Sequence, residues 1–426
     1  MTEHRLKERE RGRARDTERD IEVNRQTQYQ SAADYFWSSS ASVLCHTTTT
    51  ALRPTADRSE VGSGRAAAEK LRIRKLEAAV ITDYKFDQHY IEEMSRADLR
   101  IMFSPGRVQL VQEETMDQAP KVLVTGATGL LGRAVCREFQ NNSWAVLGIG
   151  FRRARSGILR CDLTDEEAVR GLLQDYKPDV IIHCAAERRP DVVERHTEAA
   201  VNLNVHTTST LAKEAAACGA FFLYISTDYV FDGRNPPYGE DDTPNPLNVY
   251  GRSKLEGERE TLRHCPGAVV LRVPVLFGEV ETVSESAVTC LWLRVQEATE
   301  GSTLDHCQQR FPTDTRDVAA VCRKLSERAR QDPSIRGIFH FSAKEQMTKY
   351  EMAIAIAQAF NLPSNHLIPL TEQPAASTLR PLNSQLNCSR LELLNLSVEP
   401  RPFTSAIVDS LWPFTPDKRW RQTVFH

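Results

Sequence analysis

From Lys121 onward, apolar residues fall into short blocks separated by glycine turns and amphipathic stretches of helical length. Lys121–Thr125 (KVLVT), Ala145–Ile149 (AVLGI), Val180–Cys184 (VIIHC), Phe221–Ser226 (FFLYIS) and Val269–Val273 (VVLRV) are short apolar runs. That is the pattern of strands covered on both faces. Leu131–Asn141, Glu166–Tyr176 and Val201–Cys218 lie between them and have helical spacing. Alternating strands and helices predict right-handed crossovers and a doubly wound parallel sheet of α/β class over 117–277. A smaller C-terminal α/β domain is expected over 278–409, interleaved with the first as an alternative to a clean boundary, and a tail over 410–426. In the smaller domain a helix is expected at Met347–Phe360, capped by Thr348.

The first 116 residues break the pattern. Mixed charge without large apolar groups near the start, low complexity at Ser38–Thr50 and a Pro/Ser/Gly stretch at Arg53–Arg65 predict a mostly disordered extension. One helical patch is expected at Ala66–Ile81.

Composition narrows the function. The 426 residues carry 54 Lys+Arg against 57 Asp+Glu, so a protein that chiefly neutralises phosphate backbones is a poor fit, and nucleic acid is not expected as a partner. No run reaches the roughly 18–20 apolar residues of a membrane-spanning helix. The N-terminal segment lacks an apolar core and carries acids, unlike a secretory or mitochondrial leader. Ten cysteines without paired spacing predict buried thiols of a reducing compartment, the cytoplasm first and the nucleus as a second location. His183, Cys184, His196 and His206 lack metal-ligand spacing, so His183 is expected in the core and no metal is expected.

Gly126-Ala-Thr-Gly129-Leu-Leu-Gly132 follows the first strand and opens the first helix, the context a Rossmann-type dinucleotide loop demands. Gly126 suits the tight turn, Gly129 the approach of a pyrophosphate, and Gly132 close packing of helix on strand, with the helix N-terminus favouring the anion. The second strand ends in Phe151-Arg152-Arg153-Ala154-Arg155, cationic where an acid would bind the ribose of NAD, so NADP is the expected cofactor. Asp162 follows a short third strand and is placed to reach the adenine. Tyr250 and Lys254 share a helix face at i, i+4, where an ammonium near a phenol is expected to lower the phenol's pKa. Thr227, in Ser226-Thr227-Asp228, would complete a reductase-type triad. Glu256-Gly257-Glu258-Arg259 reads as the solvated continuation of that helix.

With these motifs the chain resembles the extended short-chain dehydrogenase/reductase family and its dTDP-4-dehydrorhamnose reductase branch, through Ser226–Gly233 with Tyr250 and Lys254. Val122–Ala134, Cys184–Val193, Gln308–Thr313 and Trp412–His426 are similar to one family within that branch, the regulatory beta subunits of methionine adenosyltransferase. The resemblance covers about Phe103–His426. It implies a non-catalytic subunit that binds the methionine adenosyltransferase catalytic subunit, modulates S-adenosylmethionine synthesis from methionine and ATP, and retains a NADP site. In that site it implies Thr128, Gly129, Leu130 and Leu131 at the pyrophosphate, and Phe151, Arg152 and Arg153 at the adenosine phosphate. Asp162 and Leu163 would border the adenine, Cys184 and Arg188 the middle, and Tyr250, Lys254 and Leu276 the nicotinamide end. The other reading is an active NADP-dependent reductase of a nucleotide sugar, which would use Thr227, Tyr250 and Lys254.

The C-terminus concentrates aromatic and cationic groups of the kinds that dominate interface hot spots. Leu411, Trp412, Phe414, Lys418, Arg419, Trp420, Arg421, Val424, Phe425 and His426 are the expected partner-binding residues, with Pro413 and Pro416 opposing a regular helix.

Overall fold

The apolar runs fold as strands of one sheet, seen in a computed structural model that describes residues 119–297, 301–372 and 378–415. The expected extension, its helical patch and the tail from residue 416 lie outside the described residues. The chain runs β1 (Lys121–Thr125), α1 (Leu130–Asn141), β2 (Ala145–Gly150), β3 (Ile158–Arg160), α2 (Glu166–Tyr176) and β4 (Val180–His183). It continues through α3 (Pro190–Arg195), α4 (Thr197–Val201), a π-helical turn (Asn202–His206), α5 (Thr207–Cys218) and β5 (Phe221–Thr227). Then follow α6 (Val249–His264), β6 (Val269–Val273), β7 (Leu276–Phe277), α7 (Leu291–Gln296), β8 (Ser302–Asp305) and β9 (Thr313–Asp314). The last elements are α8 (Thr315–Ala329), β10 (Gly337–His340), α9 (Lys349–Ala359), β11 (Leu367–Leu370), α10 (Ser389–Leu393) and α11 (Phe403–Leu411).

Among the described residues the main sheet has seven strands in the order β10-β6-β5-β4-β1-β2-β3, and its pairings are all parallel. Successive side chains of a strand point to opposite faces. Thus Val122, Val124, Leu223 and Ile225 meet α1 and α8 in one core, which includes Val135, Phe139, Val318 and Leu325. Leu123, Phe222, Tyr224 and Val270 meet α2 and α5 in the other.

The segment after β7 builds a smaller lobe whose core joins Phe277, Leu291, Trp292, Met352, Ile356, Phe403, Ile407 and Leu411. Two short parallel pairs, β7 with β9 and β8 with β11, edge it. α9 starts from a capping box in which Thr348 accepts from the Glu351 amide at 3.2 Å and Glu351 accepts from the Thr348 amide at 2.7 Å. Between lobe segments the chain returns to the main sheet, adding α8 to one face and β10 to the edge beside β6.

Two sequence expectations are corrected. Val201–Cys218 is helical throughout but not α-helical throughout, because a π-turn at Asn202–His206 bulges it where Asn204 is buried. There Asn204 accepts from the Glu187 amide at 2.9 Å and donates to the Glu187 carbonyl at 3.1 Å, fixing the loop after β4. Nor is Glu256–Arg259 uniformly solvated. Glu258 is 2% exposed and accepts from Arg272, itself 1% exposed, through Nε at 2.9 Å and Nη2 at 2.7 Å, and from the Ser226 hydroxyl. Only Glu256 and Arg259 form an exposed pair.

Candidate functional site

β1 is followed by α1 on one face of the sheet, while the helices after β4 cover the other, so a crevice opens at the strands' C-terminal ends where the winding reverses. The cleft there holds about 1260 Å³. Every residue of the expected cofactor set lines it, from Thr128–Leu131 and Phe151–Arg153 through Asp162, Leu163, Cys184 and Arg188 to Tyr250, Lys254 and Leu276. A second hollow, of about 890 Å³, lies along α5 and α6 and contains none of them.

The glycine loop is shaped for close approach. Gly126 has φ of +66°, and a Cβ there would stand 2.9 Å from the Ala185 backbone. A Cβ on Gly132 would stand 2.1 Å from the Gly126 carbonyl oxygen. Among the described residues no side chain caps α1, and no acid occupies its first turn, so its first amides are left for an anion. Such a loop, with cationic groups at the end of β2, fits a phosphorylated dinucleotide.

At the other end, Thr227 (5% exposed) and Lys254 (3% exposed) share the cleft wall with Tyr250. The Thr227 hydroxyl donates to Asp228 at 3.1 Å and is also in hydrogen-bonding range of the Tyr250 phenol. The Lys254 ammonium stands 4.0 Å over the Tyr224 ring, a cation–π contact. The sequence argument expected Lys254 to lower the Tyr250 pKa, and the structure corrects it. Burial raises the phenol above its ordinary value, with the Thr227 hydrogen bond only partly offsetting this. Burial likewise lowers the Lys254 ammonium to about 7, against the pull of Glu258. Cys184 is held as a neutral thiol, its pKa raised first by burial. Asp162 accepts from the Thr164 amide at 3.0 Å and hydroxyl at 2.7 Å, shaping the turn into α2.

His183 is in the core, as expected, 1% exposed between Thr125 at 2.7 Å and Thr208 at 3.0 Å. Glu187 pairs with Arg189 at 3.0 Å beside the cleft. Sequence reasoning missed the cleft wall supplied by the smaller lobe: Gln308, Arg310, Lys349 and Arg380. Arg310 is buried, donating to the Pro381 carbonyl at 2.9 Å and to Gln308 at 2.5 Å. Also missed was the acidic segment Glu279–Glu285, whose closely spaced acids were the available signal.

Of the expected partner-binding residues, Leu411, Trp412 and Phe414 are described. Leu411 is wholly buried in the smaller lobe's own core, and this corrects its place among surface groups: α11 turns it inward with Ile407. Phe414 packs against the same core, and Trp412 is half-buried in the short turn after α11. Lys418, Arg419, Trp420, Arg421, Val424, Phe425 and His426 lie outside the described residues.

Residues 120–415 match the family described as RmlD substrate binding domain. The chain is 72% identical over 316 residues to methionine adenosyltransferase 2 subunit beta of Danio rerio, covering 74% of this chain and 97% of that protein. It is 59% identical over 329 residues to the protein of the same name from Bos taurus, covering 77% and 98% respectively. Among solved structures, dTDP-4-dehydrorhamnose reductase from Bacillus anthracis in complex with NADP superimposes with a TM-score of 0.60 at 26% identity, covering 70% of this chain and 99% of that one.

Proposed function

Since the chain belongs to the RmlD substrate binding domain family, in its branch of methionine adenosyltransferase beta subunits, we propose that it is a non-catalytic regulatory subunit. In this reading it binds the methionine adenosyltransferase catalytic subunit and modulates S-adenosylmethionine synthesis from methionine and ATP. The observation that carries the reading is identity of 72% extending over 97% of the zebrafish subunit.

The cleft is read as a retained NADP site. Thr128–Leu131 take the pyrophosphate, Arg152 and Arg153 the adenosine phosphate with Phe151 alongside, Asp162 and Leu163 the adenine edge, and Cys184 and Arg188 the middle. Tyr250, Lys254 and Leu276 close the nicotinamide end. The lining of the cleft and the uncapped α1 N-terminus support this assignment. When bound, the nicotinamide would supply a hydride donor or acceptor; in the regulatory reading it serves binding and not turnover.

Docking is assigned to the tail from Trp412, with Phe414, Lys418, Arg419, Trp420, Arg421, Val424, Phe425 and His426 as contacts. α11 and Leu411 anchor that tail to the smaller lobe. Calorimetric titration of the catalytic subunit with the full chain, and with a chain ending at Thr415, tests the assignment. Thr415 is the right end point because removing Leu411 would open the lobe's core. Binding by the full chain that the shortened chain loses is the expected result. Absence of binding by the folded full chain overturns the reading.

One observation favours the second reading, an active NADP-dependent reductase of a nucleotide sugar: Thr227, Tyr250 and Lys254 still line one cleft. Against it, the phenol is held above its ordinary pKa, the wrong direction for a proton donor working near neutrality.

A further inference from the structure

The segment between β7 and α7 is an acidic strap that sets Glu279, Glu281 and Glu285 against arginines of α1 and of the loop after β2. Its two inward carboxylates are held differently. Glu285 has a side chain 7% exposed and accepts from both Nη atoms of Arg133, at 2.9 and 2.7 Å. Glu285 also accepts from Arg153 at 3.2 Å and from the Glu281 amide at 3.0 Å. Arg133 donates in addition to the Thr128 carbonyl of the glycine loop at 2.8 Å and to the Glu279 carbonyl at 3.0 Å. Arg188 donates to the Glu285 carbonyl, and Arg137 pairs with Glu279. Glu285 is therefore the anchor, tied to the loop itself.

Glu281 differs. Its side chain is 36% exposed, and its carboxylate meets Arg155 at 3.0 Å, Arg153 at 3.4 Å and Arg133 at 3.8 Å. Arg153 and Arg155 are themselves more than half exposed, at 54% and 62%, so these pairs exchange readily with solvent and other anions. Arg153 is also a wall of the cleft at the end of β2.

We propose that Glu281 is a specificity-determining residue of the dinucleotide site, a built-in carboxylate that competes with a ligand's terminal phosphate for the guanidinium groups of Arg153 and Arg155. The inference rests on the reading of the cleft as a NADP site. A phosphate monoester brings up to two negative charges and three acceptor oxygens, enough to displace a single carboxylate held by exposed pairs. A dinucleotide ending there in a ribose hydroxyl has nothing to exchange and leaves the strap in place. NADP binding is thus an anion exchange, and Glu281 lowers the affinity for NADP without lowering that for NAD.

The test is fluorescence titration of the full chain and its Glu281→Gln variant with NADPH and with NADH at several salt concentrations. Glu281→Gln is expected to bind NADPH about two- to fivefold more tightly, from the range of exposed ion pairs, with NADH changed less than about 1.5-fold. NADPH binding is also expected to weaken more steeply with salt in the variant, because among the described residues Glu285 is then the one carboxylate still paired with Arg153 and the site carries one counter-anion fewer. An unfolding midpoint within about 1 °C of the parent shows that the fold is intact. Unchanged NADPH affinity, or equal tightening for both dinucleotides, overturns the inference while leaving the cofactor reading in place. Failure of the parent chain and the variant to bind NADPH at all overturns both.

Discussion

The same substitution, glycine to alanine, is predicted to have opposite consequences at two helical positions of this chain. At Gly132 in α1 the new Cβ would stand 2.1 Å from the Gly126 oxygen and 2.7 Å from its carbonyl carbon. Ordinary carbon–oxygen approach is about 3.3 Å, so helix and loop must separate by roughly 1 Å. The Gly126 carbonyl cannot rotate away, because it accepts the Gly129 amide at 2.8 Å. Overpacking of this kind costs about 1–3 kcal/mol, which exceeds the gain of about 0.5–1 kcal/mol from replacing a helical glycine by alanine. At Gly171 in α2 no atom of the described residues lies within 4 Å of the new Cβ. There the same gain stands alone, so Gly171→Ala is predicted to stabilise by about 0.5–1 kcal/mol. Urea unfolding followed by tryptophan fluorescence measures both, and NADPH titration reads the loop. Gly132→Ala should weaken NADPH at least about tenfold, the equivalent of one lost charged hydrogen bond. A Gly132→Ala chain as stable as Gly171→Ala, with unchanged NADPH binding, would refute the reasoning.

Two further perturbations follow from buried charge. Arg272→Leu strands the Glu258 carboxylate at 2% exposure and is expected to cost about 3–5 kcal/mol in urea unfolding, whereas adding Glu258→Leu should recover most of it. Burial holds His183 and His340 at pKa values of about 3, from an ordinary 6.5, with Lys254 contributing at His183 and Arg272 at His340. The folded state therefore keeps both neutral where the unfolded chain takes up protons. Stability should be full above pH 6.5 and fall as the pH drops toward 3, by at most about 1.4 kcal/mol per pH unit for each histidine. Unfolding free energies that stay flat between pH 6.5 and 4.5 would contradict this. Glu285 adds a lower window: burial raises its carboxyl, but Arg133, the Glu281 amide and Arg153 outweigh this and hold it at about 2. Its contribution is present above the ordinary 4.5 and is lost as the pH falls toward 2, which acid titration of the Glu281→Gln chain would show unchanged.

What the sequence made legible was local. The glycine loop, the strand runs and the Tyr250–Lys254 face depend on spacing within one element, and β1, β6 and α2 begin and end at the expected residues. What it hid depends on packing between elements. Glu258 looked solvated because nothing along the chain announces that α6 lies on β6, where Arg272 waits for it. The direction of the Tyr250 and Lys254 pKa shifts follows from burial, which spacing does not encode. Asn204 turns inward through a π-turn whose purpose is a hydrogen bond to Glu187, in a separate segment. The strap carried a visible cluster of acids, but its partners Arg133, Arg153 and Arg188 come from distant segments.

The central claim, regulation without reductase turnover, is tested most directly by the kinetics of S-adenosylmethionine formation. The catalytic subunit of methionine adenosyltransferase would be assayed alone, with the full chain, and with its Tyr250→Phe variant, while NADPH oxidation is followed with dTDP-4-dehydrorhamnose. The account predicts that chain and variant change the kinetics equally and that neither oxidises NADPH with that sugar. No effect on the catalytic subunit, together with NADPH oxidation that Tyr250→Phe abolishes, would contradict it.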